Sequence, residues 1–546
     1  MTTLLDKPAG GGAWAAAGYV AAAAVALAVY GVTMAPDLVW HDAGYYQWES
    51  ARLNLVRPGE TVRVHPFFVV LAHYLGKLGI WNYAKAASVA SALGTAIAVA
   101  NVWLIVLRLV RCVGAASVAA LACLLAHTIW QMAVQPQTYG WSNAALSGMI
   151  LATVLWVQTG RTAWLMTMFF VGGVGFSIHL MSQMGLGVLG AWVLVRVIRG
   201  GVPAWVLPAG VAMWLVGGAL DWYVIALEYQ RTGDAVATLE SSILGGWGGA
   251  VFNVSGVPRM LLRSLLMLVL NFPTPVMLVA VYGVWRSGRI LAESGGRGKA
   301  ASEAVAAKTA PSGSERASGA RSLAVVLGVL LAVYVLFGVR YRVPNQNFFF
   351  TPVYLILCIY LGLGIHSLGW LRRPATAALT VALVLAVIPA YWAMARTAKA
   401  AGINLRESGT VHEIPYRDFY DYYLMPWQQG QTGPRRFAEK VLASLPPNAV
   451  LLPDTTTAPP LKCLRDVEGV RPDVLIVDAY DVKFDPAVAP WWRGQAADVW
   501  RMASGRRVFV ASDQANYVPR WAREDAEIVP FGLIFEVRPR QAGATP

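Results

Sequence analysis

Eleven mostly apolar stretches recur along this chain of 546 residues, near 13–36, 83–107, 113–134, 141–158, 163–179, 180–198, 203–226, 260–285, 322–339, 347–370 and 376–395. Each approaches the about 20 residues that a helix rising 1.5 Å per residue needs to cross a hydrocarbon core. Charged residues make up only 14% of the chain, against about 25% in soluble domains, which excludes an ordinary soluble enzyme. The 7 histidines and 4 cysteines exclude a disulfide scaffold or a zinc ribbon. The segment 66–81 opens Pro66-Phe67-Phe68, is too short to span and is interrupted by Lys77. It predicts a helix lying in the interface or re-entering it. The 13–36 stretch lacks a strongly charged start and leads into a loop rather than a clear cleavage site, so it reads as a retained first span.

The net charge is +14. In a soluble protein that excess suggests nucleic acid, but here the apolar content makes a bilayer the partner and excludes nucleic acid. Residues 396–546 hold 19 basic and 18 acidic side chains, and the preceding residues the other 25 and 12. Two architectures therefore share the chain: a multispanning body at 1–395 and a near-neutral domain at 396–546. With the N-terminus inside, the inner loops receive 15 basic residues and 4 acids, the outer loops 10 and 8. This matches the positive-inside rule and places 396–546 outside, in a bacterium on the outer face of the inner membrane. The Ala/Gly/Ser/Lys-rich stretch 286–321 cannot bury enough apolar area to offset its ordering entropy, and reads as a flexible cytoplasmic linker.

In the tail, strands are expected at 448–452, 474–477 and 507–510, helices at 457–466 and 495–503, and further strand at 528–538. Alternating elements predict a small α/β layer with a partly parallel sheet.

The first outside loop, 37–82, carries the densest chemistry. It begins Asp37-Leu38-Val39-Trp40-His41-Asp42-Ala43-Gly44-Tyr45-Tyr46-Gln47-Trp48-Glu49, and Arg57, Arg63 and His65-Pro66 follow. Acids beside an apolar phase are costly unless solvated or used. Asp37 after Pro36 suits a helix cap. Asp42 has aromatic neighbours and no adjacent lysine or arginine. The same residues also fit a hydrated loop with interfacial tryptophans. The outer-half histidines His41, His65, His73, His127 and His179 show no His-x-x-x-His spacing, so no metal ligands are assigned.

The pattern Ala35-Pro36 followed by Asp42-x-Gly44, then His65-Pro66 leading into a short helix, resembles the bacterial protein O-mannosyltransferase-like family of GT-C glycosyltransferases. Gln135-Pro136-Gln137-Thr138-Tyr139-Gly140-Trp141-Ser142-Asn143 is similar to a Glu-x-Tyr-x-x-Asn-like motif of that family. Phe176-Ser177-Ile178-His179 is similar to its Gly-x-x-His-type step, and Glu468-Gly469-Val470-Arg471-Pro472-Asp473-Val474 to a phrase of its soluble domain. Tyr45, Gln135 or Gln137, and Thr455-Thr456-Thr457 stand where the family carries acids. These departures argue against a divalent metal and leave open a different acceptor or a degenerate enzyme.

The resemblance implies a GT-C-like polytopic α-helical body with an extracytoplasmic α/β domain. It also implies a hexosyltransferase that moves a monosaccharide, mannose in the family, from a polyprenyl-phosphate donor to a protein, glycan or lipid hydroxyl. Such transfer needs a base for the acceptor proton and positive charge on the departing phosphate. Asp42 is the expected base and Glu49 a second candidate, with inversion as the outcome. Arg340 and Arg342, in an outer loop where cations are disfavoured, are expected phosphate ligands or anchors to lipid phosphates, with Arg63 and His65 as further phosphate candidates. Trp40, His41, Tyr45, Tyr139 and His179 are expected to contact substrate. The same body also suits a transporter or lipid-linked sugar flippase, or a non-catalytic scaffold of the fold.

Overall fold

The structure, a computed structural model, describes residues 12–57, 59–243, 249, 256–296, 313–341, 343, 345–403, 413–483 and 488–540. Among them, seven helices are long and apolar enough to cross a membrane, or up to ten if each of three bent pairs counts as one span. A shorter apolar helix, Ala163–Ile178, adds to these. The chain is a multi-pass membrane protein.

The acid-rich loop at 37–82 lies between α1 (Gly12–Thr33) and α4 (Tyr83–Val110). It contains α2 (His41–Arg52), a 3-10 turn at Thr61–Arg63 and α3 (Pro66–Lys77). The α3 helix matches the short segment expected from sequence and opens on Pro66, which tolerates the first helical turn because its missing N–H is not needed there. Asp37 is not the cap of α2. That helix begins at His41, and the Asp37 carboxylate is bound by Arg435 instead.

Then come α5 (Val113–Leu125), α6 (His127–Ala133), α7 (Tyr139–Thr159), α8 (Ala163–Ile178), α9 (Met181–Ile198), α10 (Val206–Gly217) and α11 (Ala219–Thr232). Buried polar contacts pin the bundle: Tyr19 donates to Asn101 at 3.1 Å, and Asn101 donates to Ser147 at 3.0 Å. In a medium without water such groups must find partners on neighbouring helices.

Three expected spans are not straight. The 113–134 stretch bends by 67° between α5 and α6, and the 203–226 stretch by 70° between α10 and α11. The 260–285 stretch turns by 114° between Val257–Asn271 and Val276–Leu291. Pro273 and Pro275 lie at that last break and cannot donate to a continuing helix. The 286–321 stretch is helical at 286–296 and 313–321; residues 297–312 lie outside the described residues. Its alanines, arginines and glutamates are adequate helix formers, so the flanking helices run on past the apolar part.

The tail forms one five-stranded sheet in the order β2-β1-β3-β5-β4. Strands β1 (Val450–Leu452), β2 (Leu475–Ile476) and β3 (Val508–Val510) are parallel, while β4 (Ala526–Phe531) and β5 (Ile534–Pro539) form an antiparallel hairpin on β3. The strands lie close to their expected places, and Gly532 at φ +63° makes the hairpin turn.

The tail shares a core with the 37–82 loop and the start of α4. Leu38, Trp40 and Ala84 pack with Phe437, Val441, Leu461 and Phe509 of the tail. Each fully buried aromatic or aliphatic side chain here contributes about 1.5–3 kcal/mol. Gln47, wholly buried, donates to the carbonyls of Asp37 and Ala84 at 3.0 and 3.2 Å and accepts from Val39 at 3.0 Å, which fixes the loop beneath the sheet.

Gly44 shows how tight the contact is. A Cβ there lies 2.4 Å from the Val39 carbonyl oxygen and 2.6 Å from Pro459 Cβ, both poorly able to yield. Gly44→Ala is therefore expected to lower unfolding stability by about 1–3 kcal/mol, seen as a lower melting temperature in detergent and faster proteolytic release of the tail. Gly31→Ala, where nothing lies within 4 Å, is expected to be neutral or slightly stabilising.

Candidate active site

The chain enters α2 through His41 at φ 61° and enters α3 through His65 at φ 50°, both left-handed conformations costly for a side-chain-bearing residue. The His41 N–H donates to the Thr456 carbonyl at 3.2 Å, so the tail helps hold the first of these turns. Between them the loop brings Asp42 and Arg63 to 3.6 Å.

Asp42 keeps 37% of its side chain exposed, and His41 Nδ1 lies 3.4 Å from it. Burial alone raises the Asp42 carboxyl. The charge and hydrogen bond of His41, with Arg63 and Arg57, override this and hold it well below the usual carboxylate range. Burial lowers the neighbouring His41, but Asp42 outweighs it and the imidazole ends above its ordinary value. Asp42 is thus an ionised, reachable carboxylate at the start of a helix, where the dipole also favours negative charge.

Glu49 is different. It is buried, and both Nε and Nη2 of Arg57 donate to one of its oxygens, Nε at 2.7 Å. Its other oxygen is buried without a hydrogen-bond partner, so it is burial that sets Glu49 apart from the half-exposed Asp42. The remaining Arg57 nitrogen, Nη1, donates to the Tyr480 hydroxyl at 2.9 Å.

His65 and His179 stack with ring centroids 4.9 Å apart and planes at 13°. The His65 Nδ1–H donates to the Ile178 carbonyl at 2.8 Å. His179 Nδ1 accepts from the Met181 N–H at 3.0 Å, so its proton sits on Nε2. Burial pushes His65 well below its ordinary value, with His179 and Arg57 adding to the effect, and burial pushes His179 down to about 4. Both rings are neutral at physiological pH. With its one proton on Nδ1 and given to Ile178, neutral His65 offers a phosphate neither positive charge nor a free N–H.

Tyr139 packs on His179 at 5.4 Å and on Phe348 and Phe349 at 5.6 and 5.7 Å. Tyr341 meets Phe349 at 4.6 Å. Burial pushes the Tyr341 hydroxyl up to about 12, with the Arg63 charge pulling against the rise. Tyr341, Phe348 and Phe349 thus join Tyr139 in an aromatic wall near Arg63. Arg340, exposed, ends the helix Gly313–Arg340, and Arg342 lies outside the described residues.

Two expected substrate contacts lie elsewhere. Trp40 is 1% exposed and meets Phe437 edge-on at 5.5 Å, because its indole is covered by the tail helix Gly433–Ser444. Tyr45 is buried, and its hydroxyl donates to Asp478 at 2.5 Å. Burial lifts the Asp478 carboxyl above the ordinary range, against the opposing pull of the Lys462 ammonium 3.6 Å away. Among the described residues no three His, Cys, Asp or Glu side chains gather as a metal set.

Sequence reasoning singled out neither Asp478 nor Tyr480. They follow the carboxyl end of parallel strand β2, the edge where open α/β sheets place functional groups, and that rule was the signal available.

No protein-family model matches the sequence, and no curated protein matches it. Among solved structures, the chain is similar to ArnT from Cupriavidus metallidurans. The likeness to its apo state has a TM-score of 0.56 at 16% identity, over 96% of this chain and 98% of that one. The likeness to the state bound to undecaprenyl phosphate has a TM-score of 0.53 at 16% identity, over 96% and 99%. The chain has the GT-C-like fold of these structures. At that identity the likeness fixes the arrangement of body and tail and leaves the chemistry to the residues.

Glu49→Gln is expected to strand the buried Arg57 charge and cost about 3–5 kcal/mol. A lower melting temperature should be partly restored when Arg57→Met is added. The activity that survives per folded molecule should stay near wild type for Glu49→Gln, measured against the folded fraction.

Proposed function

We propose that the protein is a glycosyltransferase of the bacterial inner membrane, moving a monosaccharide from a polyprenyl-phosphate donor to an acceptor hydroxyl on the outer face. The observation that carries this reading is the pairing of a reachable, ionised Asp42 with Arg63 at 3.6 Å, at the outer end of the first span of a GT-C fold. The ArnT structure bound to undecaprenyl phosphate supports a polyprenyl-phosphate donor. The inside bias of basic residues supports an extracytoplasmic tail over the site. Mannose is the sugar that the sequence resemblance favours, and a protein or glycan hydroxyl the acceptor.

In this reading the acceptor oxygen attacks the anomeric carbon as the bond from that carbon to the phosphate oxygen breaks. The acceptor proton passes to Asp42, and Arg63 stabilises the charge gathering on the leaving phosphate. Phosphate is already a stable leaving group, so a strong general acid is not required. A single displacement without a covalent sugar intermediate inverts the anomeric centre. The aromatic wall of Tyr139, Phe348, Phe349 and Tyr341 offers apolar faces for a sugar ring or the first isoprene units.

In membranes supplied with a radiolabelled polyprenyl-phosphate sugar, Asp42→Asn is expected to reduce transfer by about 10²–10⁴-fold at wild-type protein levels. Equal turnover removes Asp42 from the base role. A folded wild type that consumes no donor points to the scaffold reading, and lipid movement without glycosidic cleavage to a flippase.

The His41–Asp42 pair also predicts a pH dependence. With the His41 pKa raised above its ordinary 6.5, imidazolium neutralises the carboxylate at lower pH and leaves it a weaker base. Transfer (kcat/KM) should rise as His41 loses its proton above pH 6.5, and that rise should vanish in His41→Asn. A profile unchanged by the substitution removes His41 from control of Asp42.

A further inference from the structure

Resting on the glycosyltransferase reading, we infer that Tyr480, contributed by the tail, is a positioning residue for the donor phosphate, acting through Arg63. The Arg63 guanidinium lies 4.7 Å from the centroid of the Tyr480 ring. Its Nη1 donates to Glu60 Oε2 at 3.2 Å, and its Nη2 lies 3.6 Å from Asp42. The Tyr480 hydroxyl accepts from Arg57 Nη1 at 2.9 Å and donates to the same Glu60 oxygen at 3.4 Å. One phenol thus provides a face for Arg63 and a tether for the two groups that flank it.

The tether is itself anchored. The Tyr480 N–H donates to Asp478 Oδ1 at 2.8 Å, while the other oxygen of that carboxylate accepts from Tyr45 on α2 at 2.5 Å. The two arginines are not equivalent. Arg57 is buried with its charge taken by Glu49, whereas Arg63 keeps about a fifth of its side chain exposed beside Asp42. A long, mobile guanidinium gains most from a fixed aromatic platform when it must meet an anion in one orientation. The tail therefore completes the donor side of the site, in addition to any choice of acceptor.

The experiment measures binding of undecaprenyl phosphate, without sugar, to the purified full-length protein in detergent, alongside melting temperature. Tyr480→Leu is expected to weaken binding about tenfold, which is about 1.4 kcal/mol. Tyr480→Phe, which keeps the face, should stay within about threefold. In an Arg63→Gln background Tyr480→Leu should cause no further loss. With the labelled sugar donor, Tyr480→Leu should raise the donor KM and leave the acceptor KM unchanged. Tyr480→Met, apolar but without a π face, serves if the leucine variant does not fold.

Wild-type affinity in Tyr480→Leu or Tyr480→Met, or a tenfold loss that persists in the Arg63→Gln background, overturns the inference while leaving the glycosyltransferase reading intact. A wild-type protein that binds no undecaprenyl phosphate overturns both.

Discussion

One buried carboxylate joins the two halves of this protein. Asp478, wholly within the interior, accepts from Tyr45 of the 37–82 loop and from the backbone of Tyr480 in its own loop, with Lys462 3.6 Å away. A charge so deeply placed is tolerable only when its lone pairs are met and an opposite charge is near. Every partner must therefore be in register before the carboxylate is satisfied. That requirement fixes α2 against the tail sheet. Trp40 on Phe437 and Gly44 under Pro459 are the packing that follows.

The site inherits its division of labour from this junction. The loop carries three acids in its first half, yet their environments separate them. Asp37 is engaged by Arg435, Glu49 is sealed with Arg57, and Asp42 alone of the three sits half-open beside His41 and Arg63. Local electrostatics then sorts the basic groups. The stacked histidines are held neutral by burial, so positive charge near Asp42 is left to His41 and the arginines. Identical residue types perform unlike tasks because solvent access and partners differ by a few ångströms.

Much of this organisation was legible in the residue order. The apolar stretches announced a multi-pass body, the short Pro66-Phe67-Phe68 segment announced α3, and the alternating tail announced a partly parallel sheet. Asp42 stood out because no cation adjoins it in sequence. Its companions did not, because Tyr480 and Asp478 lie more than 400 residues away and are brought in by the end of β2. Trp40 and Tyr45 looked like ligand contacts for the same reason: a linear reading sees an aromatic beside an acid and cannot see the helix or carboxylate that covers it.

Hydrophobic length and residue alternation are properties of local composition, so the sequence by itself determined that this chain spans a bilayer, that its tail carries a small, partly parallel sheet, and which loop holds the unusual acids. Where the spans bend, which acid stays open, which histidines stay neutral and which tyrosine supports Arg63 all depend on contacts between distant segments. Those contacts set desolvation and pairing, and only the tertiary structure decides them.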